Sequence, residues 1–558
     1  GGGNLDKNVV LRWLKKQLST GCPKIMHNAP YDLGWLKALD IPVNGPIIDT
    51  MIMAALLDEN RYSYSLNALS YDYLGEAKSE KLLTQAAVDF GVDPKAELWK
   101  LPSQFVGPYA EMDARLAFDL YKFFKLEIAK QDLNTVWDLE TRLTPCLIDM
   151  TFRGIRVDMD RCERTKQALI KREKAVLKKI EAQAGGNVEI WAAASLSKAF
   201  DKLNIKYPRT ATGQPSFTKS FLSENPHEFA KMVVEARNLN KVQGTFVSSI
   251  MRYVSKEGRI HGHINQLRSD DGGTVSGRLS MSNPNLQQIP ARDPELGPMI
   301  RSLFLPEEDE QWAAIDFSQQ EPRILVHYAQ IFGKWKSRPL GGAQEFVDAY
   351  NDDPNTDFHT MVAEMAQIPR KQAKVVNLGM MYGMGVNKLA DQLDVDVDTA
   401  KEITKQYHSR VPFVKELMSG VSRAVDQKDD GSIRSLKGRK CRFDMFEPLG
   451  YELKKALPKK EARAQYGDTT PLRRAYTYKA LNRLIQASAA DMTKQAMVDL
   501  YEAGERPLLQ VHDELGCSVR DIEHAKKIRE VMERAVGLEV PNKCDIDLGP
   551  SWGEAVEV

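Results

Sequence analysis

Trp312-Ala313-Ala314-Ile315-Asp316-Phe317-Ser318-Gln319-Gln320-Glu321-Pro322-Arg323 runs from an apolar stretch into a carboxylate, then into polar residues closed by a proline. The apolar residues before Asp316 predict a buried strand whose end presents that carboxylate. Pro322 suits the first position of a following helix, where a missing N–H costs nothing. Taken alone, an Asp at a strand end is more often a cap or a turn residue. A second stretch changes the weighing. In Leu508-Leu509-Gln510-Val511-His512-Asp513-Glu514-Leu515-Gly516-Cys517-Ser518-Val519 two apolar runs flank three polar residues. That pattern predicts a hairpin with His512, Asp513 and Glu514 at its tip. Carboxylates from separate elements are what a two-metal phosphoryl-transfer site needs, to hold ions about 3.5–4 Å apart.

A third stretch, Pro369-Arg370-Lys371-Gln372-Ala373-Lys374-Val375-Val376-Asn377-Leu378-Gly379-Met380-Met381-Tyr382-Gly383, reads as a helix opening at Pro369. Arg370, Lys374, Leu378 and Tyr382 recur at steps of four and line one face. Two cations, an apolar residue and a phenol in that order match a nucleotide laid lengthwise, phosphates first. A charge pair on a helix is usually a solvated face, but Gly379 and Gly383 weaken a helix and fit that reading poorly.

Composition sets the frame. At 558 residues, two to four domains are expected. The apolar 42% and charged 27% are those of a soluble globular protein. No run of about 18 apolar residues predicts a membrane span. The opening Gly1-Gly2-Gly3-Asn4 has neither the basic nor the apolar region of a secretion signal, so the expected location is the cytoplasm. Six scattered cysteines without a C-x-x-C pair suit free thiols. A net charge of +1 does not announce nucleic acid, yet Lys and Arg outnumber Asp and Glu about two to one from Lys428 to Arg483. That excess reads either as a phosphate footprint or as a solvated charged insertion.

Along the chain, residues 1–130 alternate short strands, such as Lys24-Ile25-Met26, with helices at 9–18 and 110–124. Long amphipathic helices are expected over 162–184 and 228–254, side by side. Residues 357–427 read as mostly helical, 428–472 as irregular, and 473–504 as one long helix.

In order, these segments resemble family A DNA polymerases. Asp316 to Arg323 resembles motif A, Arg370 to Gly383 motif B, and Val511 to Glu514 motif C. Ser276-Gly277-Arg278-Leu279-Ser280, Pro284 to Pro290, Asp357 to Thr360 and Asn482 to Asp491 resemble further family segments. The resemblance implies an α/β and α+β multidomain fold: a right-hand polymerase with an antiparallel palm sheet and helical fingers and thumb, preceded by an incomplete RNase H-like exonuclease domain. The implied boundaries are 1–134 for the truncated exonuclease, 135–300 for lead-in and thumb, 301–345 and 492–558 for palm, and 346–491 for fingers. It implies that Asp316 and Asp513 hold two Mg²⁺ ions, replaceable by Mn²⁺, with Glu514 beside them in the catalytic group. Arg370, Lys374 and His359 would meet the triphosphate. Gln319, Leu378, Tyr382 and Glu321 would complete the nucleotide site, Glu321 excluding a 2′-hydroxyl. Arg278, Asn482, Gln486 and His512 would touch the primer–template, and Arg301 phosphate or template. The implied partners are primer–template DNA and dNTPs, for a monomer that replicates DNA; no insertion marks a processivity factor.

Leu378 stands where the family carries Phe or Tyr, as in some bacteriophage members. A phenol there accepts nucleotides lacking a 3′-hydroxyl, so Leu378 predicts their rejection. Ala487 and Tyr478 also depart from the pattern. Upstream, Asn28-Ala29-Pro30-Tyr31-Asp32 and Pro108 to Asp113 resemble the second and third motifs of 3′–5′ proofreading exonucleases. That resemblance makes Asp32 and Asp113 metal ligands and Tyr109 the residue orienting water. No D-x-E precedes Asn28, so weak or absent proofreading and an exposed sheet edge are expected of this chain. A nuclease that only holds a primer, a non-catalytic primer–template binder and a single-subunit RNA polymerase are the competing readings.

Overall fold

The computed structural model describes every residue except 1–4, 77, 79, 95, 291, 292 and 451–454. The opening Gly1-Gly2-Gly3-Asn4 and part of the basic segment therefore lie outside the described residues.

A five-stranded sheet organises the chain, in the order Leu509–Val511, Glu514–Val519, Gln311–Phe317, Cys544–Gly549, Val556–Glu557, with every pairing antiparallel. Its central strand is Gln311–Phe317, and the period of two decides its faces. Ala313, Ile315 and Phe317 enter one core with the Gln320–Trp335 and Ala480–Glu502 helices. Trp312 and Ala314 enter another, with the Met159–Ala184 and Glu228–Lys241 helices. Asp316 belongs by phase to the second face, but at the strand's end it lies beyond the apolar filling. Gly516, opposite Ala314, is required beneath the Trp312 ring, since a Cβ there would come within 2.6 Å of the indole.

The two long amphipathic helices form and share that second core, but the later one is interrupted. Glu228–Lys241 passes into a π-helical Val242–Val247 before Ser248–Tyr253. The 473–504 region also departs from expectation: Leu472–Arg474 is a strand, and the helix covers Ala480–Glu502. The supposedly irregular 428–472 holds a hairpin, Ser432–Arg434 with Lys440–Arg442, and a small three-stranded sheet. Pro322 is the third residue of its helix, not the first, because Gln319 caps it at φ +53. Its missing N–H still falls among those without an intrahelical partner.

In the N-terminal region Lys24–Met26 pairs in parallel with Ile47–Asp49. Helices Thr50–Leu57 and Ser103–Lys130 pack together through Met53, Leu56, Leu116 and Leu120. The amphipathic Lys7–Leu18 helix buries none of its residues. Cys22 is exposed and the other five cysteines are buried free thiols. Among the described residues no helix is long and apolar enough to cross a membrane.

Candidate active site

The hairpin turn closes at His512-Asp513, and Glu514 is already the first residue of the returning strand. Register then does the assembly. Glu514 pairs with Asp316 on one side, and Asp545 pairs with it on the other. The Phe317 amide donates to the Asp513 carbonyl at 3.3 Å. Asp316 is pushed up to about 8, first by burial, then by the charges of Asp513 and Glu514 and a hydrogen bond to the Asp513 carboxyl. Asp513 is also raised, mainly by burial. The Asp316 and Asp513 carboxyl groups thus lie within reach of one another. Glu514 stands slightly apart: its Oε1 accepts from the Trp552 indole at 2.8 Å, and burial raises it. Among the described residues no group of three or more His, Cys, Asp or Glu side chains gathers into a metal cluster.

Backbone strain marks both arms. Gln319 and His512 are non-glycine residues at φ +53 and +59, His512 directly before Asp513 and Gln319 three residues after Asp316. Gln319 is braced as well: its Oε1 accepts from the Phe358 amide at 2.8 Å and the Tyr350 hydroxyl at 3.2 Å, and its Nε2 donates to the Thr356 carbonyl. This side chain fastens the strand end to the segment before the 358–366 helix.

Arg370–Met381 is a helix, with Tyr382 at its C-cap. Ala373, Val376, Asn377 and Met380 face the core, which leaves Arg370, Lys374 and Tyr382 exposed and Leu378 half-buried. Arg370 pairs with Asp357 at 2.8 Å and donates to Thr360. Burial opposes ionisation of Asp357, but the Arg370 and Thr360 hydrogen bonds prevail and hold it at about 2. Lys374 makes no ion pair among the described residues. His359 is buried, its Nδ1 on the Asn377 amide at 2.9 Å, and desolvation lowers its pKa.

Glu321 joins three segments. One oxygen accepts from Arg278 at 2.5 Å and the other from the Tyr382 hydroxyl at 2.7 Å. Burial first, then Glu321, raises Tyr382. Asn482 and Gln486 lie half-buried, one turn apart on the Ala480–Glu502 helix. His512 opens onto a cleft lined by Asn238, Lys241, Phe246, Gln288 and Pro290. Arg301 lies over the Trp552 ring at 4.4 Å, against the platform that holds Glu514.

Part of the basic excess at 428–483 is turned inward, while Lys428, Lys455, Lys459, Lys460, Arg473 and Lys479 are exposed. Arg434, Arg463 and Arg474 donate to backbone carbonyls, Arg442 pairs with Glu59, and Arg439 is buried between two carboxylates. At the N-terminal motifs, Lys78 pairs with Asp113 at 2.7 Å, donates to the Tyr109 hydroxyl at 3.1 Å and lies over its ring. Asp32 is exposed, on the first turn of its helix; partial burial and then Asp49 raise its pKa. Buried Asp49 accepts from the Asn28, Ala29 and Met51 amides and so anchors the second motif.

Sequence reasoning missed Asp545, Lys78 and Asp49. Only Asp545 carried a signal: it stands in an alternating Cys544-Asp545-Ile546-Asp547 stretch that reads as a strand with acidic residues on one face.

The profile of DNA polymerase family A matches residues 159–554, and that of the 3′–5′ exonuclease matches 4–129. The chain is 35% identical to a DNA-directed DNA polymerase of Pseudomonas phage M6, covering 100% of this chain and 87% of the relative. It is 30% identical to DNA polymerase DpoZ of Acinetobacter phage SH-Ab 15497, over 98% and 90%. Against the POL domain of Pol1 from M. smegmatis, in complex with DNA primer-template and dNTP, the TM-score is 0.77 at 26% identity, covering 98% and 88%. The chain belongs to DNA polymerase family A, and it is a DNA-directed DNA polymerase.

Proposed function

We propose that the chain extends a primer 3′-hydroxyl on a DNA template, in DNA replication, with two Mg²⁺ ions held by Asp316 and Asp513. The observation that carries this reading is the meeting of those two carboxyl groups at a sheet end. The donor set fits: two half-buried acids face one another, and Asp316 is pushed up to about 8, first by burial and then by the charges of Asp513 and Glu514. When bound, such ions (Mn²⁺ could replace Mg²⁺) favour the ionised primer hydroxyl and stabilise the leaving pyrophosphate.

The chain's own residues bind and orient. Lys374 and Arg370 pair with the triphosphate, Arg370 leaving Asp357 to do so, and His359 offers its Nε2. Leu378 and Tyr382 pack against sugar and base. Glu321, held by Arg278 and Tyr382, closes the floor under the sugar, where a 2′-hydroxyl would clash. Asn482, Gln486, Arg278 and His512 face the duplex minor groove, whose acceptors vary little with sequence.

In this reading 301–345 with 492–558 is the palm, 346–491 the fingers, 135–300 lead-in and thumb, and 1–134 the exonuclease region. The protein acts as a monomer. Its exonuclease activity is weak or absent as the chain stands, because Lys78 already neutralises Asp113. Primer extension with dNTPs against NTPs tests the reading: extension with dNTPs alone is expected, and extension with NTPs, or none, would refute it.

A further inference from the structure

One buried ion cluster has no part in the reading above. Arg439 is 3% exposed. Its guanidinium donates to Asp491 at 3.0 Å and to Glu140. Lys494 donates to the same Glu140 oxygen at 2.7 Å and to the Gln266 carbonyl at 2.9 Å. Ser435 and the Lys437 amide complete Asp491, and Gln266 completes Glu140. Two anions and two cations, all with side chains at most 4% exposed, thus balance one another. Burying four charges is expensive, and an apolar filling would hold three segments together as well. The cluster needs a reason beyond stability.

The reason lies on the open side of the guanidinium. Gly277 sits at φ +83, and a Cβ there would come within 2.6 Å of the Arg439 Nε and 2.7 Å of its Cζ. The plane of Arg439 is therefore the floor on which the Gly277 turn rests. The next residue is Arg278, whose carbonyl is fixed by Thr274 and whose side chain reaches Glu321. A planar, permanently charged group held from two directions is a rigid support, and lysine could not reproduce it.

The geometry points to Arg439 as a positioning residue for nucleotide selection. Clamped by Glu140 and Asp491, it sets the Gly277 turn so that Arg278 holds Glu321 beneath the incoming sugar. This rests on the reading of Glu321 as the floor of the sugar site.

Arg439→Lys keeps the charge and loses the plane. Expected is a fall of about tenfold in dNTP-over-NTP discrimination, carried mostly by KM for the nucleotide, with primer–template Kd within about twofold of the parent. Gly277→Ala presses on the same contact from the other side and is expected to give the same signature, which covers the case where Arg439→Lys does not fold. In an Arg278→Ala background Arg439→Lys should add less than about twofold, since its effect passes through Arg278. Equal losses in both backgrounds, or unchanged discrimination in both Arg439→Lys and Gly277→Ala, would overturn the proposal. If Glu321→Ala itself leaves discrimination intact, the sugar-floor reading fails first and takes this one with it.

Discussion

Asp316 and Asp513 are brought together by strand register, with left-handed His512 directly before Asp513 and left-handed Gln319 three residues past Asp316. The acid pair carries a free-energy penalty in the folded chain, and its sign can be measured. An unfolded Asp titrates near about 3.9. Folded Asp316 is raised to about 8, so between these values the folded state holds a proton that the unfolded state has released. Stability must therefore fall as pH rises through that window and level off above it. Without divalent ions the melting temperature should decline from pH 5 to pH 8, and Asp316→Asn should decline less. At pH 8 the variant should melt higher by on the order of 2 °C. Mg²⁺ should raise the parent and leave the variant unmoved. Parallel curves for the two proteins would mean that no such penalty exists at this position.

The Arg370–Met381 helix shows what a sequence can and cannot disclose about an element. Its four-residue phase was legible because chemistry and helical geometry impose the same spacing, and its exposed stripe is the predicted one. The pairing of Arg370 with Asp357 was not legible, since nothing local specifies a partner thirteen positions upstream. The same limit hid the strands of 432–474, where short runs with many charges lack a period of two. It also left the two readings of the basic excess, phosphate footprint and solvated insertion, undivided, because counting charges cannot tell an arginine facing solvent from one donating to carbonyls. Leu378 carries the prediction of this helix. Half-buried on the stripe and lacking a hydroxyl, it should let the enzyme reject ddNTPs, and Leu378→Tyr should improve their incorporation relative to dNTPs by at least about tenfold. Equal use of both nucleotides by the parent in a competition assay would remove the basis for this.

Across the whole molecule, the order of motifs was enough to foresee a hand-shaped polymerase behind an exonuclease region, and the central sheet joins strands from both ends of the second half of the chain. What joins the regions was invisible. Arg442 reaches Glu59, Arg434 reaches the Gln131 and Asp132 carbonyls, and Arg439 ties Glu140 to Asp491. These are single residues whose partners lie far away in sequence. Lys78 is the same kind of case, and it makes the exonuclease question a matter of charge. With Asp113 already paired, the purified chain should degrade single-stranded DNA slowly, and Lys78→Ala, which frees that carboxylate, should quicken it. Rapid Mg²⁺-dependent degradation by the parent would show the region to be a working nuclease.

The shared role of Asp316 and Asp513 is tested most directly by single-turnover primer extension with Asp513→Ala and Asp316→Ala beside the parent, each paired with a primer–template binding curve. Both variants should lose extension by at least about a thousandfold while binding the duplex within a few-fold of the parent. Extension at near-parental rates by either variant would contradict a chemistry built on that pair of carboxylates.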